Sequence, residues 1–159
     1  MNRQWVGDGT VLKANGRLCF LASVMEVYSR LIVGWALGRD RTVHLTGQAL
    51  ARAVGQRQPT AQLSFHSDRG IEYGADRTRD ALRYHGLRSR LNRPGSCRDN
   101  AHRESFFHTM KAEWIRGRRF ATFSELEQAL KAYIRFTNRH RLHSSIDHHT
   151  PEEVERWMA

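Results

Sequence analysis

At 159 residues, with 40% hydrophobic and 26% charged side chains, the chain reads as an ordinary soluble globular domain, long enough to bury a core. Lys and Arg total 26 against 16 Asp and Glu, and the formal net charge of +10 points to a polyanion, most often nucleic acid, as partner. No apolar run reaches the ~18–20 residues that cross a bilayer, the start MNRQWVGDG has no signal-peptide stretch, and the two cysteines, Cys19 and Cys97, are too few for a disulfide framework and suit a reducing compartment, with the cytoplasm as default.

The first element is a strand from Trp5 to Leu12, interrupted by Gly7-Asp8-Gly9, and Asn15-Gly16 then signals a hairpin turn. RLCFLASVMEVY (17–28) and LIVGWALG (31–38) are apolar strands joined at Ser29-Arg30, so three strands in succession form an antiparallel meander. The period then changes. Thr42 caps a helix to about Val54, with Val43, Ala49, Leu50 and Ala53 inward and Gly55 ending it. AQLSFH (61–66) is a short strand, 75–85 a helix ending at Gly86, and LRSRL (87–91) a half-polar strand. After the loop RPGSCRDN, Asp99 caps a helix that reaches about Arg116. Thr122-Phe123-Ser124-Glu125 is a capping box for a helix to about Arg139, and Thr150-Pro151-Glu152-Glu153 starts another. Trp114, Tyr133 and Phe136 fall at helical spacings and are assigned to the core rather than to base stacking. A meander followed by βαβ units is an α/β arrangement with a mixed sheet, whose ligands lie at strand ends and helix starts.

A phosphodiester repels nucleophiles and leaves as an alkoxide. Two divalent ions held by carboxylates answer both difficulties, which directs attention to acids where strands end or helices begin. Asp8 sits inside an apolar strand, where a carboxylate is unfavourable unless compensated, although taken alone an exposed strand face or a bulge is the readier account of it. Asp68 ends the fourth strand in SFHSDRG (64–70) and reads as a turn residue or as a ligand. Glu104 lies at the edge of the apolar stripe Phe106, Phe107, Met110 and Trp114, with Lys111 nearly two turns below it; the pair is a solvated acid–base couple or a metal carboxylate with a phosphate contact. Arginines at 83, 88, 90, 93, 98 and 103 lead into Glu104 and favour a phosphate-tracking surface. Nine histidines are present, but only Cys97 and His102 approach zinc-ligand spacing, and no zinc site is expected.

HSDRG, SCRDN, ESFFHTMKAE and NRHRLHSSI occur in this order, and 35 residues lie between Asp68 and Glu104. Together they resemble the catalytic domain of insertion-sequence transposases of the third family, members of the retroviral-integrase superfamily. The resemblance runs from WVGDGT (5–10) to TPEEVE (150–155). It implies a ribonuclease-H-like fold: a mixed five-stranded sheet with helices on both faces, the core over 1–120 and a C-terminal helical extension over 121–159. It further implies a DNA transposase core performing metal-dependent strand cleavage and strand transfer as a polynucleotidyl transferase. Asp8, Asp68 and Glu104 then become the catalytic, metal-binding triad for Mg²⁺, with two ions expected and Mn²⁺ as substitute. Lys111, Arg98, Arg103, Arg139, Arg141 and His143 become DNA contacts. Partners would be transposon ends and target DNA, with the chain as a homo-oligomer on DNA in a bacterial, nucleoid-associated setting, and without a membrane. The alternatives are a metal-dependent nuclease of the same fold and an inactive DNA-binding remnant.

The chain departs from that pattern at Gly9, where an apolar residue is usual, at Glu26 and Glu72 in place of Asp and Gln, and at Arg98, His102 and Arg103. None removes a triad carboxylate. With Asp8 so near the start, an upstream helix-turn-helix for recognising terminal repeats is expected to be lacking.

Overall fold

A computed structural model describes residues 4–59, 63–67, 76–91 and 106–158. Its centre is a five-stranded sheet: β1 (Gln4–Ala14), β2 (Arg17–Glu26), β3 (Ile32–Gly38), β4 (Ser64–Ser67) and β5 (Arg88–Leu91), in spatial order β3-β2-β1-β4-β5. The first three strands are antiparallel, and β4 and β5 add parallel strands on the far side of β1. Asn15 and Gly16 both take left-handed backbone, at φ 49° and 70°, and this turn matches the twist of the strands it joins, setting Ala14 opposite Arg17.

β1 differs from the sequence expectation. It runs unbroken through Gly7-Asp8-Gly9, because Gly7 is paired on both sides, with Val24 of β2 and Ser67 of β4. Two ladders supply what the glycines lack in intrinsic strand preference. β2 stops at Glu26, two residues short of the expected end. The buried Glu26 carboxylate accepts the Ser29 N–H at 2.7 Å and the Ser29 hydroxyl at 3.2 Å, and Arg30 turns the chain in the left-handed region at φ 67°.

α1 (Val43–Arg57) begins at Thr42, whose hydroxyl accepts the Leu45 N–H at 3.3 Å. It buries Leu45, Thr46, Ala49, Leu50 and Ala53, whereas Val43 stays half-buried. Gly55 does not end it. The helix continues to Arg57, which is held by Glu155 from the far end of the chain, and Gln58 makes the left-handed cap. α2 (Asp76–Tyr84) ends before Gly86 at φ 68°. α3 is described over 106–115 and widens into π-helical turns at Met110–Ile115. α4 (Phe123–Arg139) is capped by Thr122, but Glu125 reaches one residue further back, to the Ala121 N–H at 2.7 Å. α5 (Pro151–Trp157) has the complete reciprocal box between Thr150 and Glu153.

Alternation along the strands divides the core in two. Trp5, Val24, Val33 and Phe65 meet α1 and α2 on one face, through Leu45, Leu50 and Leu82. Val6, Leu12, Leu21 and Met25 meet α3 and α4 on the other, through Phe106, Phe107, Met110, Leu126, Leu130 and Ile134. Helices therefore cover both faces of the sheet, as expected. At roughly 1.5–3 kcal/mol for each large apolar side chain buried, these two layers supply the dominant stabilisation.

Candidate active site

β1 and β4 run side by side with Gln4, Trp5, Val6 and Gly7 opposite Ser64, Phe65, His66 and Ser67. Asp8 is the next residue of β1 beyond this ladder, and Asp68 is the next residue of the chain after Ser67. The β1–β2 register is regular through Asp8, which stands opposite the buried Ser23. Two-residue alternation then puts Asp8 on the face that carries Val6 and Leu12, the side covered by α3 and α4. Its carboxylate is half-buried, and Oδ1 accepts the Gly9 N–H at 2.7 Å. The strand-interior acid is thus neither at a break nor at a bulge of β1. A carboxylate oxygen set this way offers a hard donor of the type that Mg²⁺ takes.

The third expected carboxylate, Glu104, precedes the described start of α3 by two residues. Asp68, Glu104, Arg98 and Arg103, like Cys97 and His102, lie outside the described residues. What is described of α3 supports the expected stripe: Phe106, Phe107 and Met110 are buried in the same core layer as Val6, and Trp114 packs against it. Trp114 stacks on Tyr133 with ring centroids 4.9 Å apart, and the Arg118 guanidinium lies 5.4 Å from the Trp114 ring centroid. Phe136 departs from its core assignment. It lies off the stripe made by Leu126, Leu130, Tyr133 and Thr137, is 47% exposed, and stacks on His140. Lys111 is exposed on the π-helical segment.

The basic segment after α4 is more engaged than its sequence suggests. Arg141 grips both carboxylate oxygens of Glu113, at 2.5 and 2.9 Å, a fork that holds the Glu113 carboxyl below its ordinary range. Arg139 Nε reaches Glu152 Oε1 at 2.8 Å. His143 is half-buried, and burial together with the Arg141 charge pushes its imidazole pKa down. Sequence reasoning missed Glu113 as the partner of Arg141, although both lie in the family words ESFFHTMKAE and NRHRLHSSI. It also missed Arg30 and Glu26. Burial pushes the Glu26 carboxyl up and the Arg30 guanidinium down, each partly offset by the other groups around it.

Two Integrase core domain models match the chain, over residues 1–97 and 85–151. The transposase for insertion sequence element IS904 of Lactococcus lactis is 34% identical over 99% of this chain and 63% of its own length. Transposase InsF for insertion sequence IS3A of Escherichia coli is 34% identical over 97% of the chain and 54% of its own length. The chain thus spans little more than half the length of such curated relatives. Among solved structures, the catalytic core domain of BIV integrase superposes with a TM-score of 0.73 at 20% identity, covering 99% of this chain and 96% of that one. The HTLV-2 integrase catalytic core domain in complex with magnesium gives 0.64 at 14% identity, covering 96% and 95%. The sheet order, the two helical layers and the matched models agree, and the chain belongs to the integrase core domain family.

Proposed function

We propose that this core performs metal-dependent cleavage and joining of DNA strands, with Asp8, Asp68 and Glu104 as its carboxylates. The observation that carries the reading is the position of Asp8: one step beyond the β1–β4 ladder, on the sheet face that α3 covers. In sequence, Asp68 directly follows Ser67, the last β4 residue of that ladder, and Glu104 precedes the described start of α3 by two residues. Three carboxylates of that kind suit Mg²⁺ or Mn²⁺, and one or two such ions would polarise the scissile phosphate and stabilise charge on its entering and leaving oxygens. The triad would hold the ions, and only through them orient these oxygens, while water cleaves one phosphodiester. The freed 3′-hydroxyl would then attack a second one, so no covalent bond between protein and DNA is required.

Exposed Lys111 would contact a backbone phosphate of the transposon end, with Arg98 and Arg103 extending the basic surface. Arg139 and Arg141 would contribute through the positions that Glu152 and Glu113 impose on them. Transposon ends and target DNA are the proposed substrates, and a homo-oligomer assembled on DNA the working form. No helix among the described residues is long and apolar enough to cross a membrane; we place the protein with the bacterial nucleoid.

A strand-transfer assay on terminal-repeat DNA with Mn²⁺ or Mg²⁺, the remaining segments of a full-length transposase being supplied in trans, tests this. Joined products are expected, and Asp68→Ala should abolish them. Activity that survives this substitution removes the assignment, and nicks without joined strands point instead to a nuclease of the same fold.

A further inference from the structure

A cavity of about 340 Å³ opens where the β2–β3 turn, α3, the end of α4 and the 141–145 loop meet. Its charged lining consists of Arg30, Arg141 and His143, accompanied by the hydroxyls of Thr109, Ser144 and Ser145. Among the described residues, no carboxylate lines it. Glu113, which Arg141 grips, and Glu26, whose charge acts on Arg30, are not among its lining residues. The Arg141 guanidinium is thereby fixed in place, and the described lining is rich in donors.

Two further observations bear on what fills this space. The Nε2 atom of His143 is buried with no hydrogen-bond partner among the described residues, an expensive condition for a polar atom at a cavity wall. Arg30 occupies left-handed backbone at φ 67°, a conformation that a long side chain adopts only when its surroundings compel it, and which here sends a half-buried arginine to this turn.

We propose that this cavity binds a phosphate group, held by the Arg30 and Arg141 guanidiniums and the His143 imidazole. Guanidinium groups match phosphate oxygens in geometry as well as charge; a bound anion would favour the His143 proton that burial and the arginines otherwise disfavour, so that Nε2–H donates to a third oxygen. The volume exceeds that of a bare phosphate and leaves room for an attached sugar. Two sources share this chemistry: the backbone of a nucleic-acid strand and free phosphate or nucleotide. The first rests on the DNA chemistry proposed above; the anion site itself does not.

The test is an NMR titration of the whole chain that follows the His143 ring and Arg30 guanidinium resonances. The probes are inorganic phosphate, a short single-stranded oligonucleotide, and sodium chloride at matched ionic strength. Phosphate is expected to move both sets of resonances saturably and chloride to leave them in place. An oligonucleotide that competes with phosphate at these resonances assigns the site to a strand backbone, whereas one that does not assigns it to the free anion; either result upholds the site. Arg30→Gln removes a donor but also strips Glu26 of its countercharge, so Ser144→Asp is the cleaner variant. It adds a carboxylate to the lining at an exposed loop position and should weaken phosphate binding at least about tenfold. Equal responses to phosphate and chloride, or unaltered phosphate affinity in Ser144→Asp, would overturn the proposal. Asp8→Asn should leave the phosphate titration unchanged, which separates failure of this site from failure of the metal site.

Discussion

Asn138 near the end of α4 binds both backbone groups of Ile32 at the start of β3, across 106 residues of sequence. The Ile32 N–H donates to Oδ1 at 3.0 Å, and Nδ2 donates to the Ile32 carbonyl at 3.0 Å. The side chain thus acts as one further rung of the sheet and ties the α4 layer to β3. Asn138→Ala leaves two backbone groups short of partners and should cost about 1–3 kcal/mol, read from urea unfolding midpoints. Asn138→Asp retains the acceptor but loses the donor, and should be intermediate at low pH, where the acid can be neutral.

Glycines on the two sides of the α1–β3 contact should respond in opposite directions. A Cβ at Gly34 would lie 2.4 Å from the Ala49 carbonyl oxygen and 2.7 Å from Ala53 Cβ, so helix and strand must separate to admit it. Gly34→Ala is expected to destabilise by about 1–3 kcal/mol or more. Gly55 lies inside α1 with open space around its Cβ position, and Gly55→Ala should stabilise by about 0.4–1 kcal/mol through the unfolded chain. Thermal unfolding of the two variants beside the parent checks both signs.

Glu113 and Glu26 should give opposite pH dependences. Arg141 lowers the folded pKa of Glu113, so its stabilisation is present above the ordinary carboxylate range, near 4.5, and is lost as pH falls through the lowered value. The advantage of the parent over Glu113→Gln should therefore shrink on acidification below about 4.5. Burial raises the folded pKa of Glu26, so its favourable protonated state is fully populated below about 4.5 and is lost as pH rises through the raised value. The difference between the parent and Glu26→Gln should accordingly fall with rising pH. Chemical unfolding from about pH 3 to pH 8 reads both trends.

Lys111 provides a test of DNA contact separate from chemistry. If it touches one backbone phosphate, Lys111→Ala should weaken DNA binding irrespective of sequence and reduce the logarithmic salt slope by about one. Binding measured over a range of salt concentrations would show an unchanged slope if Lys111 touches no phosphate.

Much of this could be read from the residues themselves. Thr42, Thr122 and Thr150 each cap a helix where the local pattern places one, because a cap depends on groups within one helical turn. The Asn15-Gly16 hairpin and the apolar layers under α1 and α3 were legible for the same reason: turn chemistry and periodicity are local. What could not be read depends on partners far away in sequence. Gly7 and Gly9 remain in a continuous strand because β2 and β4 flank Gly7, and α1 passes Gly55 to meet Glu155. The site divides along the same line. Asp8 stands out as an acid in an apolar strand, whereas the capture of Arg141 by Glu113 and the cavity beside Arg30 arise only when the β2–β3 turn, α3 and the α4 end come together.

The most direct measurement is a crystal structure of the chain soaked with Mn²⁺, read from anomalous scattering. Our account predicts metal density bridging Asp8 and Asp68, with Glu104 on the same cluster and, where two ions bind, a spacing of roughly 3.5–4 Å. Manganese bound elsewhere, or carboxylates of Asp8, Asp68 and Glu104 that do not converge on a common site, would contradict it.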